Sequence, residues 1–234
     1  MSENIKKITK AFVVDLDSRE NQNILKPSAR PFNNQAHQVD EVVKKIYELI
    51  EDAKHSNDDI ILNHSEIKEA FFSPFKPQLK NAQVFLSHSH ADKNKALEVK
   101  NYLESKTNHR VRVFIDSLFW DYKDDVLNEL EKYDDTSKIK DAFTLILRES
   151  LQDMIEKCPY FVFLQSNNSV SCNQDLSCIT YSAWIYEELK IAHSIRESRP
   201  TPMMESWQVF HNISPFLESL ETITLSKLSH IINS

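Results

Sequence analysis

The chain has 234 residues, 41% of them apolar and 27% charged, with a formal net charge of -7. That length suits one large domain, or one domain of about 150 residues with an extension. The acidic balance, with no basic patch to offset it, argues against a nucleic-acid backbone as partner.

No segment approaches the ~20 apolar residues that cross a bilayer, so no membrane partner is expected. The opening MSENIKKITK lacks the apolar core of a secretory leader. Three cysteines, Cys158, Cys172 and Cys178, then read as free thiols in a cytoplasmic protein. Glycine is absent, where average usage would give about 16. This excludes the P-loop and the GxGxxG fingerprint, which need backbone free of Cβ beside a pyrophosphate.

In chain order, Ala11–Leu16 predicts a short strand, and 18–37, polar with Pro27 and Pro31, a loop. Val39, Val42, Val43, Ile46, Tyr47 and Ile50 recur at helical spacing and predict an amphipathic helix over 39–53. Ser65–Phe72 predicts a second, shorter helix ending before Pro74 and Pro77. Residues 1–80 are thus expected to form a mostly helical N-terminal extension, and 81–234 the main domain.

From residue 82 strands and helices alternate. Val84–Leu86 reads as a strand and Asp92–Ser105 as a helix with Ala96, Val99 and Leu103 on one face. Arg110–Ile115 is a strand, and the acidic, aromatic stretch 117–137 a loop with some helix. Ile139–Lys157 is a helix, Tyr160–Leu164 a strand, and Ser182–Ser198 a helix with Ser182 as N-cap. Ile223–Ile232 holds a last strand and helix. This order predicts an α/β fold, a flavodoxin-like parallel sheet with helices on both faces. Ligands of such sheets sit beyond the carboxyl ends of the strands, here the segments 87–92, 116–122 and 165–181.

Three segments carry chemistry. In the first, VFLSHSHADK, His88-x-His90-x-Asp92 resembles the zinc motif of metallo-β-lactamase-like hydrolases. That reading competes with a strand and polar turn opening a helix. In the second, RVRVFIDSLFW, a strand ends at Asp116 and is followed by Phe119 and Trp120, flat faces for a nicotinamide or adenine ring, or simply apolar cover for the sheet edge. In the third, SAWIYEEL, Trp184 and Glu188 are four apart and share a helix face continued by Ala192. A carboxylate there is expected to be partly desolvated. Glu187 points about 100° away and is expected to be solvated.

SAWIYEEL is similar to the Ser-x-Trp-x-x-x-Glu-Leu pattern of Toll/interleukin-1 receptor (TIR) domains that cleave NAD. The motif order also resembles that family over about residues 82–195: FLSHS, VRVFID, a long helix, YFVFL, then the WxxxE helix. The chain departs from it in a long 165–181 connection and in a 117–138 region that lacks the usual glycine. The resemblance implies NAD as substrate rather than a resident cofactor, cleavage of the nicotinamide–ribose bond, and Glu188 as the catalytic carboxylate. It offers Ser87, Ser89, Asp116, Phe119, Trp120 and Trp184 as substrate contacts, with no metal. Water, adenine or another acceptor would decide the product. The chain further resembles the sensors of Thoeris-type anti-phage systems, which implies a nucleotide messenger, a separate effector and self-association through TIR domains. A non-enzymatic TIR scaffold and a zinc hydrolase using His88, His90 and Asp92 stay open at this point.

Overall fold

The structure, a computed structural model, describes residues 10–25, 39–56, 63–73, 81–107, 110–131, 140–172, 178–194 and 211–233. The chain divides into two compact units. One comprises Met1–Phe32, Asn81–Ser117 and Gln152–Ser234, the other Asn33–Lys80 and Leu118–Leu151.

The first unit is built on a five-stranded parallel sheet. Its strands are β1 (Lys10–Asp15), β2 (Ala82–Ser87), β3 (Arg112–Ile115), β4 (Tyr160–Gln165) and, last in the chain, the two-residue strand Glu221–Thr222. The order across the sheet is β3-β2-β4-β1 and then Glu221–Thr222. The fold is α/β, with the sheet flanked by helices as expected. Strands buried on both faces read as unbroken apolar runs, and FVV, VFL and FVFL are such runs. Phe12, Val14, Phe85, Leu86, Phe161, Val162, Phe163 and Leu164 are all buried. Phe85 stacks between Phe114 and Phe161, each ring centre 5.9 Å away. Removing one such side chain from water is worth roughly 1.5–3 kcal/mol.

The expected division at residue 80 is not the one the chain adopts. β1 lies inside the sheet, pairing with β4 from Lys10↔Tyr160 to Asp15↔Gln165 and with the last strand at Phe12↔Glu221. Residues 10–15 are integral to the main sheet, with strand partners along both edges. Within 18–37, expected to be loop, Arg19–Ile24 forms helix α1, whose first turn is capped by the Ser18 hydroxyl accepting from Asn21 N at 3.4 Å. Residues 26–38 lie outside the described set.

The second unit contains α2 (Val39–Ser56) and α3 (His64–Phe72), both as expected from periodicity. α2 buries Val42, Val43, Ile46 and Ile50, and α3 buries Ile67, Ala70 and Phe71. Asn63 caps α3, its side-chain oxygen accepting from Ser65 N and Glu66 N. α4 (Lys93–Lys106) belongs to the first unit and buries Ala96, Val99 and Leu103.

Two helices pass from one unit to the other, α5 (Asp116–Leu130) and α6 (Lys140–Lys157). α5 replaces most of the expected loop. Residues 117–130 hold neither glycine nor proline to interrupt a helix, and the Asp116 carboxylate accepts from Ser117 N at 2.6 Å in the first turn, where negative charge is favoured. α7 (Ala183–Ser194), α8 (Ser214–Glu218) and α9 (Leu225–Asn233) complete the helices named here.

The connection before α7 supplies β5 (Ser171–Cys172) and β6 (Cys178–Thr180), which form a small antiparallel sheet with β7 (His211–Asn212) from beyond α7. Cys172 and Cys178 face each other across β5 and β6 and are joined as a disulfide. Of the three cysteines expected as thiols, Cys172 and Cys178 are thus oxidised, and Cys158 stays a buried thiol. Register places the two sulfurs together, a proximity that sequence spacing does not show. Among the described residues no helix is long and apolar enough to cross a membrane.

Candidate active site

All five strands of the main sheet are parallel, so their carboxyl ends share one edge. β2 ends there with Ser87 and is followed by His88 and Ser89; β3 ends at Ile115 and is followed by Asp116 and Ser117. α7 brings the third component. Its start is fixed by Ser182, whose hydroxyl accepts from Ile185 N at 3.2 Å and whose carbonyl accepts from Tyr186 N at 3.1 Å, the N-cap expected from sequence. Ile185, Glu188, Leu189 and Ala192 then fall on one buried face.

Glu188 is 0% exposed. The Ser87 hydroxyl donates to its Oε2 at 2.5 Å. Glu188 is also near enough to the Asp116 carboxyl to act on its protonation. Ser87, Asp116 and Glu188, from three separate segments, therefore meet at one point. Asp116 is itself buried, and its Oδ1 lies 3.1 Å from His88 Nε2. His88 Nε2 is also 3.1 Å from the Ser117 hydroxyl, and His88 Nδ1 is 2.8 Å from the Ser89 carbonyl. Burial pushes the Asp116 carboxyl above its ordinary value. Nearby His88, the backbone amides of His88 and Ser117, and Glu188 oppose that rise without cancelling it.

Sequence-expected residues take different places around this cluster. Ser89 contributes backbone, its carbonyl accepting from the His88 ring and from Asp92 N. Trp184 is half-buried one turn before Glu188. Phe119 and Trp120 sit on α5 just past Asp116, with side chains outside the described set. Glu187, expected to be solvated, is instead 0% exposed, its Oε2 3.7 Å from Lys190 Nζ. The 100° offset from Glu188 does not expose it, because α7 is covered on two adjacent faces: Glu187 and Ile191 are buried as well as Ile185, Glu188, Leu189 and Ala192.

His88, His90 and Asp92 do not converge as a metal triad. His88 turns to Asp116 and Ser117, and His90 is exposed. Asp92 accepts from the Ser166 hydroxyl and, at 2.9 Å, from Asn168 Nδ2. That second polar knot also holds Lys95, whose Nζ reaches Asp17 at 3.3 Å, and Asn167, whose backbone amide donates to Asp17 at 2.9 Å. It ties the carboxyl ends of β1 and β4 to the start of α4. Among the described residues no group of three His, Cys, Asp or Glu side chains could hold a metal ion.

Sequence reasoning missed His88 as the partner of Asp116, and Ser117. The available signal was position: each lies within two residues of a strand end, on the edge where ligands of parallel sheets bind. Chemically, the cluster places two carboxyls, an imidazole and two hydroxyls in a dry setting, where charge acts far more strongly than in water. Comparison of the chain with protein-family models, with curated proteins and with solved structures finds no match.

Proposed function

We propose that this chain cleaves NAD at the bond between nicotinamide and ribose, with Glu188 as the catalytic carboxylate, in the manner of the TIR enzymes its motifs resemble. The observation that carries this reading is the meeting of Ser87, Asp116 and Glu188. The resemblance named all three, they lie up to 101 residues apart in sequence, and they share one buried cluster at the carboxyl edge of a parallel sheet.

Nicotinamide leaves a cationic pyridinium as a neutral base, so its departure needs no general acid. The barrier lies in positive charge building on the ribose ring, as in glycoside hydrolysis. A preorganised carboxylate in a dry site stabilises that charge. In this mechanism a ribose hydroxyl takes the place of the Ser87 hydroxyl on Glu188, and Asp116 lies next to the same sugar. Trp184 and the aromatic pair Phe119 and Trp120 are the stacking candidates for the bases. The product passes as an ADP-ribose-derived messenger to a separate effector in anti-phage defence, with the enzyme self-associated.

The test is incubation of purified protein with NAD and chromatography of nicotinamide and the adenine-containing product, with Glu188→Gln run beside it. Nicotinamide release is expected from the wild type and a loss on the order of a hundredfold or more in the variant. A wild type that releases none, or a variant that matches it while folded, overturns the reading.

A further inference from the structure

We propose that His88 Nε2 is the base that takes the proton from the acceptor attacking the ribosyl carbon, with the Ser117 hydroxyl marking the acceptor's seat, so that the acceptor is water and not a ring nitrogen of the adenine. This rests on the NAD-cleaving reading and adds the second substrate to it.

Two hydroxyl–acceptor pairs stand side by side at the carboxyl edge of the sheet. Ser87 donates to Glu188 Oε2 at 2.5 Å, and one residue on, His88 Nε2 lies 3.1 Å from Ser117 Oγ. β2 and β3 run in register with Leu86 beside Ile115, so Ser87 and His88 leave the sheet level with Asp116 and Ser117. The role of each ring nitrogen follows from its partner. Nδ1 is 2.8 Å from the Ser89 carbonyl, which can only accept, so Nδ1 carries a hydrogen. In the neutral ring Nε2 is then the acceptor, and the Ser117 hydroxyl is the donor that fills it. A ring nitrogen that receives an O–H, with the opposite nitrogen anchored to an orienting group, is the arrangement of a general base.

Asp116 supports that base. Its Oδ1 is 3.1 Å from Nε2 and accepts from Ser117 N at 2.6 Å. An imidazolium formed when the ring takes a proton therefore arises against a carboxyl that attracts it. His88, Asp116 and Ser117 are all buried, which strengthens the attraction. Neighbouring ionisable groups are turned elsewhere. Asp92 holds Ser166 and Asn168, Lys95 reaches Asp17, Glu187 faces Lys190, and His90 is exposed.

In the step itself, the bond from the anomeric carbon to nicotinamide breaks, and its electron pair neutralises the pyridinium. A water oxygen, seated where the Ser117 hydroxyl donates, bonds to the anomeric carbon. Its proton passes to Nε2 and then to solvent, giving ADP-ribose, nicotinamide and one proton. A pyridine or adenine ring nitrogen attacks through a lone pair and has no proton to lose, so capture by such a nitrogen needs no base.

That difference supplies the test. Wild type and His88→Asn are incubated with NAD and excess acetylpyridine, and chromatography separates ADP-ribose from the pyridine-exchanged dinucleotide. The asparagine keeps an N–H for the Ser89 carbonyl and removes the base. ADP-ribose formation should fall about a hundredfold and exchange far less, so their ratio should move by about tenfold or more toward exchange. His88→Gln replaces this variant should it fail to fold. An unmoved ratio in a folded variant that still releases nicotinamide overturns the role of His88 and leaves NAD cleavage standing. A wild type that releases no nicotinamide overturns both. A further measurement needs no substrate. In nitrogen NMR the neutral His88 ring should carry its hydrogen on Nδ1, and Ser117→Ala should shift the Nε2 signal, which loses its donor. A hydrogen on Nε2, or an Nε2 signal indifferent to Ser117, sinks the inference whatever the activity.

Discussion

The hydroxyl of Ser87, at the end of β2, donates to the carboxyl of Glu188, in the second turn of α7, at 2.5 Å. Both residues are 0% exposed. Replacing Ser87 by alanine removes a donor from a buried carboxyl, and leaving such a group short of a partner costs about 1–3 kcal/mol. Ser87→Ala should therefore lose about that much stability in urea unfolding. Because a ribose hydroxyl takes the serine's place in the proposed mechanism, the cleavage rate should fall by less than about tenfold, well short of the Glu188→Gln loss. An alanine variant as stable as the wild type contradicts the bond, and one as inactive as Glu188→Gln contradicts the exchange.

What the sequence makes readable here is local. The runs FVV, VFL and FVFL announce buried strands, and the spacing of Trp184, Glu188 and Ala192 puts Glu188 on the inward face of a capped helix. Partner choice is not local. Nothing in AFVVD says that it pairs between β4 and the last strand, so residues 10–15 look like part of an extension although they lie inside the sheet. Glu187 misleads because a single 3.6-residue period presumes one buried face, and α7 has two. The 117–130 stretch lacks any helix breaker; its acidic and aromatic composition suggested a loop with some helix, and the absence of a breaker is the better guide. His88 and Asp116 are separated by 28 residues, and only the parallel register of β2 and β3, with Leu86 beside Ile115, brings the residues that follow together.

Asp116 should give folding a pH dependence of definite sign. Its carboxyl is raised above the ordinary 3.8 by burial. Below 3.8 both folded and unfolded chains hold the proton, and the group contributes no difference. As pH rises past that point the unfolded chain loses its proton first, so the folded state binds more protons and stability falls until the folded group has titrated. Asp116→Asn cannot titrate. The stability of this variant relative to the wild type should become more favourable between pH 4 and pH 7 in denaturant unfolding. A relative stability that moves the other way would show that the folded state prefers the charged form.

Glu149 should show the reverse behaviour on a smaller scale. It accepts from His64 at 2.8 Å and from Lys68 Nζ at 3.4 Å. The hydrogen bond from His64 is the largest of the effects holding its carboxyl below the ordinary 4.5, with attraction to both cations adding to it. A lowered folded value means stability that is present above 4.5 and is lost as pH falls through the folded value. The side chain is 44% exposed, and solvent screening keeps such pairs under about 1 kcal/mol. Glu149→Gln should therefore lower the urea midpoint slightly at pH 6 and leave it unchanged near pH 3. A larger loss at the acid end would contradict the assignment.

The Cys172–Cys178 bridge closes a loop with a sequence separation of 6. Closing so short a loop restricts the unfolded chain by about 2 kcal/mol in the chain-entropy account. The hairpin leads through Tyr181 and Ser182 into α7, yet the helix start is fixed separately by the Ser182 cap. Reduction should therefore lower stability without dismantling the Glu188 site. Thermal unfolding with and without dithiothreitol should differ by roughly 5 °C for a chain of this size, and the Cys172→Ser, Cys178→Ser double variant should unfold like the reduced wild type. Nicotinamide release by the reduced protein below its transition should stay within a few-fold of the oxidised rate. Activity abolished by reduction at a temperature where the chain is still folded would mean that the hairpin, and not the Ser182 cap, holds α7 in place.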